Sequence, residues 1–273
     1  MADMITDTSM GEEGLECVTG DPWNGVRYFC TTRQGGVSTG PRASLNLGRH
    51  VGDDALLVDE NRRRLARRLP AAPLWLDQVH GTQVFDADAA QGESGDAVGL
   101  PRADAAVTTS AGRVLAIMTA DCLPVVIADL DGAALGVAHA GWRGLVGGVL
   151  ENTLHSLRAR HPRAAGWRAW IGPGISQPRF EVGGEVREAF VVQDPDSAVF
   201  FIAGARPGKW QADLPGLARA RLLKAGVQQV QASGHCTYAE SDMFYSYRRD
   251  PDGGRMATVA WLGPAGAHHG SRV

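Results

Sequence analysis

Apolar residues fall into short runs separated by glycine, proline and acidic turns, and these runs predict most of the strands. In the middle of the chain VLAIMTAD (114–121) and LPVVIADL (123–130) predict two buried strands. DLDG predicts the turn that follows, and AALGVAHA (133–140) predicts the returning strand. Further strands are predicted over 26–32, 82–88, 169–171 and 255–262. The pattern therefore favours sheets with short connections.

Helical periodicity appears in four segments. VDENRRRLARRLP (58–70) predicts a helix that its last proline ends, and GWRGLVGGVLENTLHSLRARHP (141–162) predicts one helix that starts at a glycine turn. Two more helices are predicted near 185–192 and 214–224. Strands and helices are interspersed without a repeat or a low-complexity linker, which indicates a mixed α/β fold.

The domain organisation follows from the ends of the chain. We predict one catalytic domain over residues 21–263, a flexible lead-in over 1–20 and a flexible tail over 264–273. His268 and His269 lie in that tail, and we expect no role for them.

Composition excludes several classes of partner. With 30 acidic and 27 basic residues the formal net charge is -3, which gives no general attraction to nucleic acid or to an anionic membrane. The arginines of 58–70 are interpreted as a solvated helix face.

No apolar run is long enough to span a bilayer, and residues 1–16 do not resemble a secretory signal. The four cysteines are widely separated and form no CxxC pair, so we expect a cytoplasmic protein.

Three residues are candidates for a metal site. His80 lies in the polar turn DQVHGT, Cys122 lies between two apolar runs, and His139 ends the returning strand. Seven residues separate Cys122 from the predicted turn at 130–132 and six separate that turn from His139, so the two lie side by side if the strands pair. Two histidines and a cysteine are ligands for a zinc ion with an open fourth position, and they also suit copper. Ordinary packing remains the alternative for each residue taken singly.

An anion site is the second candidate. A helix that begins near Arg143 directs free amide donors toward the turn that holds His139. Arg33, Arg248 and Arg249 are further candidate donors for phosphate, with surface ion pairs as the alternative for each.

A family resemblance rests on seven ordered motifs between Val26 and Leu262. They are TTRQGGVSTGPRASLNLGRHVGDD, DQVHGT, TADCLPVV, HAGWRGL, IGPGISQPRFEVG, CTY and FYSYRRD. The chain resembles the family variously described as polyphenol oxidase or laccase domain, purine nucleoside phosphorylase and peptidoglycan editing factor. The resemblance implies a single-domain sandwich of mixed sheets flanked by helices, similar to the catalytic domain of cytotoxic necrotizing factor.

The same resemblance implies the site and its chemistry. It implies a zinc site, with copper as a second possibility, made of His80, Cys122 and His139, which are also the catalytic candidates. We assign substrate binding to Arg33, Asn46, Arg143 and Arg248. The activities implied are phosphorolysis of adenosine, inosine and methylthioadenosine, with purine nucleoside and phosphate as small-molecule partners, and adenosine deamination beside it.

Deamination also needs a proton shuttle, for which Asp121 or Glu181 is the candidate, although the HxE and PCxxC signature of zinc deaminases is absent.

Three alternatives differ in class. A copper-dependent polyphenol oxidase fits the laccase description, but the chain has no His-x-His pair for a multicopper cluster. A cysteine hydrolase would use Cys122 as nucleophile and His139 as base. A peptidoglycan-precursor editing enzyme would act on muropeptide precursors and not on nucleosides. The oligomeric state has no signal in the sequence.

Overall fold

The computed structural model describes residues 15–89 and 99–263. Its strands are β1 (Cys17–Val18), β2 (Val26–Thr31), β3 (Val84–Asp86), β4 (Ala105–Thr108), β5 (Leu115–Thr119), β6 (Leu123–Asp129), β7 (Leu135–Ala140), β8 (Trp167–Ile171), β9 (Glu181–Gly183), β10 (Phe201–Ala203), β11 (Lys209–Ala212), β12 (Gln229–Ala232) and β13 (Met256–Leu262). Its α-helices are α1 (Ala55–Ala66), α2 (Trp142–Gly147), α3 (Val149–Arg160), α4 (Gly184–Gln193) and α5 (Leu214–Lys224).

The described strands form three sheets. A six-stranded sheet has the order β12-β8-β6-β7-β4-β3, a four-stranded sheet the order β1-β2-β13-β5, and a three-stranded sheet the order β10-β11-β9. In the large sheet β12 runs parallel to β8 and β3 parallel to β4, whereas β6 is antiparallel to both of its neighbours. The sheet is therefore mixed, as the sequence predicts.

The large sheet is covered on both faces. Along β6, Val125 and Ile127 join a core with the apolar residues of α3 and α5, whereas Val126 joins a second core with Ile117 of β5. The outer face of the four-stranded sheet packs against α1, where Leu65 is fully buried. Burial on both faces explains why β6 and β7 are continuous apolar runs rather than alternating ones. The helix, sheet, sheet, helix order confirms the mixed α/β sandwich, while the likeness to cytotoxic necrotizing factor stays a prediction.

The central hairpin agrees with the sequence prediction. β6 and β7 pair antiparallel with Leu123 opposite Ala140, which places Cys122 and His139 at the same end of the ladder. At the other end the carboxylate of Asp129 accepts hydrogen bonds from the amides of residues 131, 133 and 134 and closes the turn. The hairpin therefore carries two of the three candidate ligands to one edge.

The prediction of a single helix over 141–162 is wrong. The structure has two helices, which meet at Gly148. Gly148 has a φ of +97°, a conformation that glycine adopts at little cost and that ends a helix. The helix beside His139 is consequently only six residues long.

The packed part of the chain begins before residue 20, while the division into one catalytic domain and two flexible ends stays a prediction. Leu15 is fully buried and β1 pairs with β2, so the packed chain starts within the predicted lead-in. Residues 1–14 of the lead-in and the whole predicted tail, with His268 and His269, lie outside the described residues. Every helix in the described ranges is too short or too polar to span a bilayer.

Candidate metal centre and active site

The structure brings His80, Cys122 and His139 together. One ligand atom from each side chain lies within 4.8 Å of the others, and the two imidazole centroids are 4.8 Å apart. His80 is exposed, Cys122 is half-buried and His139 is buried. Among the described residues this is the one cluster of three or more His, Cys, Asp or Glu side chains with metal-binding spacing.

Two residues at the cluster have unusual backbone conformations. His80 has a φ of +60° and Asp121, directly before Cys122, has a φ of +87°. For residues other than glycine the left-handed region costs about 1–3 kcal/mol and persists only where surrounding bonds impose it. Nearby, the side-chain amide of Gln78 joins the two segments that carry these residues, since it accepts from and donates to the main chain of Met118, each over 2.8 Å.

Asp104 accepts hydrogen bonds from the main chain around His80. Its fully buried carboxylate accepts hydrogen bonds from the amides of Val79, His80 and Gly81, with donor–acceptor distances of 3.2, 2.9 and 2.6 Å. The same carboxylate lies 2.8 Å from Nδ1 of His139. Burial opposes ionisation of Asp104, but these hydrogen bonds outweigh it and hold the pKa of the carboxyl below its ordinary value.

The surroundings of Cys122 and His139 favour a thiolate beside a protonated imidazole. Burial by itself favours the neutral thiol, but the charge of His139 and hydrogen bonds from both histidines outweigh it and lower the pKa of Cys122 to about 6. Burial likewise opposes the charged form of His139, and the neighbouring thiolate and Asp104 raise its pKa to about 9. The cluster thus favours a thiolate at neutral pH, which is the form that binds metals.

The donor set fits a transition-metal ion. Two imidazoles and a thiolate are the ligand types of three-ligand zinc sites, and thiolate and imidazole donors also bind copper. An ionised Asp104 has no proton to give, so Nδ1 of His139 donates to it and Nε2 is left for the metal. The described residues thus offer three ligand atoms for a metal and a carboxylate that orients one of the ligands, His139.

A cavity of about 1090 Å³ opens on the cluster. Arginines and acidic residues both line its wall. The arginines are Arg49, Arg62, Arg143, Arg248 and Arg255. The acidic residues are Asp77, Asp121, Glu181 and Glu185. Its apolar wall includes Leu100, Met118, Phe180 and Tyr247. This volume and this mixture suit a polar small molecule with an apolar ring.

Two of the four predicted substrate-binding residues lie on this wall. Arg143 is exposed and stacks over Trp142, with 4.5 Å from its guanidinium carbon to the ring centroid. Arg248 donates to the carbonyl of Glu181 over 2.8 Å and lies over the ring of Phe180. Both guanidinium groups are thereby held at the cavity.

Arg33 and Asn46 lie elsewhere, and the structure gives them different tasks. The guanidinium of Arg33 donates to the carbonyls of Ala43 and Ser241 and stacks on Tyr245. Asn46 is fully buried, and its side chain bonds to the main chain of Gly48, to Asp53 and to the amide of Arg255. These bonds fix loops away from the cavity wall, so the assignment of both residues to substrate contact gains no support here and stays a prediction.

The other polar candidates are similarly engaged. Arg249 donates to the carbonyls of Thr237, Tyr238 and Phe244 and is absent from the cavity wall. Asp121 accepts from the hydroxyl of Thr237 and from the amide of Arg248, each over 2.7 Å. Glu181 pairs with Arg206, which lowers the pKa of its carboxyl. The two proposed proton shuttles therefore line the cavity with their carboxylates already hydrogen-bonded.

Sequence reasoning missed Asp104 and Arg255. Asp104 immediately precedes the apolar strand β4, and an acidic residue at the start of a buried strand was the available signal. Arg255 lines the cavity just before β13, and its guanidinium donates to the carbonyls of Gly253 and Gly254. No local pattern distinguished it from the other arginines.

Comparisons with known proteins agree over nearly the whole chain. The family model described as multi-copper polyphenol oxidoreductase laccase matches residues 27–263. The purine nucleoside phosphorylase PA4543 of Pseudomonas aeruginosa is 47% identical over 237 residues, which cover 87% of this chain and 93% of that protein. The purine nucleoside phosphorylase YfiH of Escherichia coli is 47% identical over 240 residues, which cover 87% and 94%.

Solved structures give the same result. Protein NMB0706 of Neisseria meningitidis superposes with a TM-score of 0.82 at 43% identity and covers 90% of this chain and 99% of its own. YlmD of Geobacillus stearothermophilus superposes with a TM-score of 0.84 at 32% identity and covers 94% and 99%.

Proposed function

The chain belongs to the family described as multi-copper polyphenol oxidoreductase laccase, and from this premise we propose that it is a zinc-dependent purine nucleoside phosphorylase. The observation that carries the proposal is the cluster of His80, Cys122 and His139 in the wall of a cavity that arginines also line. The relatives named purine nucleoside phosphorylases support the reaction class. Adenosine, inosine and methylthioadenosine are the proposed substrates.

In phosphorolysis the arginines of the cavity and the cluster of His80, Cys122 and His139 would have different roles. An oxygen of hydrogen phosphate forms a bond to C1′ of the ribose while the glycosidic bond breaks. The electron pair of the glycosidic bond leaves with the base, which takes up the proton that the hydrogen phosphate gives up. Arg143 and Arg248 are the proposed phosphate-binding residues; the support is that both line the cavity and that guanidinium groups bind phosphate oxygens in pairs. A zinc ion held by His80, Cys122 and His139 would supply Lewis-acid polarisation to oxygen atoms in the cavity.

Adenosine deamination is proposed as a secondary activity. It needs a group that moves a proton to the departing amine, and Asp121 and Glu181 are the proposed candidates. Both line the cavity, but each carboxylate is held by other groups. This engagement favours phosphorolysis as the main reaction.

A cysteine hydrolase acting on peptidoglycan precursors is the second candidate. The observation that favours it is the proximity of Cys122 and His139, whose ligand atoms lie within 4.8 Å, since a cysteine with a lowered pKa beside a histidine is also the nucleophile of cysteine hydrolases. A polyphenol oxidase that holds copper at the same three residues is the third, supported by the description of the family.

The proposed cellular setting is the cytoplasm, with small-molecule partners only. Its support is that none of the four cysteines is in a disulfide and that three of them are buried.

The deciding experiment measures metal content and product together. Wild-type protein, Cys122→Ala and a control, Cys17→Ser, are analysed for metals and incubated with adenosine in the presence and absence of phosphate. We expect about one zinc per chain and phosphate-dependent adenine release in the wild type and the control, with both lost in Cys122→Ala.

Each other outcome favours a named alternative. Zinc without nucleoside turnover, together with hydrolysis of muropeptide precursors, favours the editing enzyme. A metal-free but active wild type that Cys122→Ala inactivates favours the cysteine nucleophile. Copper with oxidation of phenols favours the oxidase.

A further inference from the structure

We propose that Asp104 is a positioning residue that sets the geometry of two of the three candidate metal ligands, His80 and His139, with one carboxylate. The inference rests on the metal site of the proposed function and deepens it, because it names the group behind the ligands. It concerns the orientation of two side chains and does not depend on which substrate the cavity accepts.

The hydrogen bonds divide between the two carboxylate oxygens. Oδ1 accepts from Nδ1 of His139 over 2.8 Å and from the amide of His80 over 2.9 Å. Oδ2 accepts from the amides of Val79 and Gly81. Four donors therefore converge on a fully buried group, and all belong to the segments that carry His80 and His139.

The main chain of Asp104 adds a further link. Its carbonyl accepts from the amide of His139 over 2.7 Å, and its amide donates to the carbonyl of Gln83 over 3.1 Å. Asp104 thus joins β7 to the turn that precedes β3 through both backbone and side chain. A displacement of this one residue moves two ligands at once.

The bond to His139 also decides which ring nitrogen faces the cluster. A carboxylate accepts hydrogen bonds and cannot donate one, so Nδ1 of His139 carries the proton and Nε2 is directed to the metal. The three amide bonds stabilise the left-handed conformation of His80, which is uncommon for residues other than glycine. Asparagine at this position offers one acceptor oxygen and two unwanted donors, so it cannot satisfy all four N–H groups.

Asp129 provides a matched control. It is equally buried, and its carboxylate also accepts three amide hydrogen bonds, from residues 131, 133 and 134. It lies at the opposite end of β6, about 20 Å along the strand from Cys122. Asp129→Asn therefore has a comparable structural cost without touching either ligand.

The test is a metal-binding measurement that needs no substrate. Zinc-loaded wild type, Asp104→Asn and Asp129→Asn are titrated with a chelator, and the visible spectra of the Co²⁺-substituted proteins are compared. We expect Asp104→Asn to raise the zinc Kd by about 10- to 100-fold and to change the Co²⁺ bands. Asp129→Asn should lower the melting temperature but keep the wild-type Kd and spectrum.

Equal Kd values and equal spectra for Asp104→Asn and the wild type would overturn the inference while leaving the metal site intact. Absence of zinc and Co²⁺ binding by the wild type would instead overturn the metal site of the proposed function, and this inference with it. If Asp104→Asn does not fold, Asp104→Glu keeps both acceptor oxygens but moves them by one methylene. It should also raise the zinc Kd, and a wild-type Kd for it would overturn the inference.

Discussion

A methyl group on residue 141 would lie 2.8 Å from Sγ of Cys122 and 3.2 Å from Cδ2 of His80. Gly141 has a φ of -67° and a ψ of 163°, which any residue can adopt, so the backbone does not require glycine here. The requirement is space beside two candidate ligands. Gly141, the first glycine of HAGWRG, thus leaves space for the candidate metal ligands in addition to forming part of a turn.

Gly141→Ala should therefore disturb the site more than the fold. The added methyl group has to displace the thiolate or the imidazole, so we expect at least tenfold weaker zinc binding, equivalent to about 1.4 kcal/mol, and a matching loss of nucleoside phosphorolysis. Chelator titration and initial rates measure both. Gly263→Ala is the control, because the nearest atom to its new methyl group is 3.6 Å away. Equal zinc affinity for the two variants would contradict the argument.

The hairpin and its two ligands could be predicted because every signal was local. The apolar runs of β6 and β7 flank an acidic turn, and their lengths alone place Cys122 and His139 at one end. His80 could be assigned through its motif, although its position depends on Asp104, which no short-range pattern connects with it. The break at Gly148 was missed because helical periodicity continues across it.

The contacts of Arg33 and Asn46 could not be predicted, because their partners are distant in the sequence. Arg33 reaches Ser241, and Asn46 bonds to the amide of Arg255. Each pair is more than 200 positions apart in the chain. An arginine that binds a phosphate and an arginine that clamps two carbonyls have the same local sequence, so burial and partners decide between them. For the same reason, the position of Arg255 on the cavity wall could not be predicted from the sequence around it.

The metal-free protein should react with iodoacetamide at Cys122 at unusually low pH. The reactive form is the thiolate, and the paired imidazolium lowers the pKa of Cys122 to about 6. The alkylation rate should rise through pH 6 and reach a plateau near neutral pH, whereas an ordinary thiol continues to gain reactivity toward pH 9. Mass spectrometry of the modified peptide gives the rate for this residue.

Two comparisons control that measurement. Zinc-loaded protein should be protected, because the metal occupies the thiolate. Cys17 should stay unmodified at neutral pH, since burial raises the pKa of its thiol to about 11. A Cys122 rate that still increases between pH 7 and pH 9 would show that the ion pair with His139 does not form.

Arg143→Gln should weaken phosphate binding with little effect on folding. Arg143 is exposed on the cavity wall and held only by its stacking on Trp142 among the contacts described for it, so its guanidinium is available to an anion. Loss of a charged hydrogen-bond donor is worth about 1.5 kcal/mol, or roughly tenfold in the KM for phosphate. Steady-state rates at varied phosphate and saturating nucleoside give this value.

Arg179→Gln is the matched control for that variant. Arg179 is also exposed and also stacks on an aromatic ring, that of Tyr238 at 5.4 Å, but it does not line the cavity. Its KM for phosphate should stay at the wild-type value. If both variants raise the KM equally, the effect comes from the general charge of the surface and not from a phosphate contact at Arg143.

Arg33→Met should destabilise the protein without changing substrate binding, in contrast to the role predicted from its motif. The guanidinium joins two segments by donating to the carbonyls of Ala43 and Ser241, and it packs on the ring of Tyr245. Its removal leaves the part-buried carbonyl of Ala43 without this donor and takes away the link to the exposed carbonyl of Ser241, which lowers the free energy of unfolding by about 1 kcal/mol. Urea denaturation measures this loss.

Arg33→Lys separates the two roles of that residue. Lysine keeps the positive charge but cannot donate in two fixed directions or stack as a planar group, so it should be nearly as unstable as Arg33→Met. A direct contact with phosphate would instead be partly preserved by the charge of lysine, and Arg33→Met would then raise the KM for phosphate well above the value for Arg33→Lys. Equal KM values for both variants and the wild type, with lowered urea midpoints for both variants, are the result that a structural clamp requires.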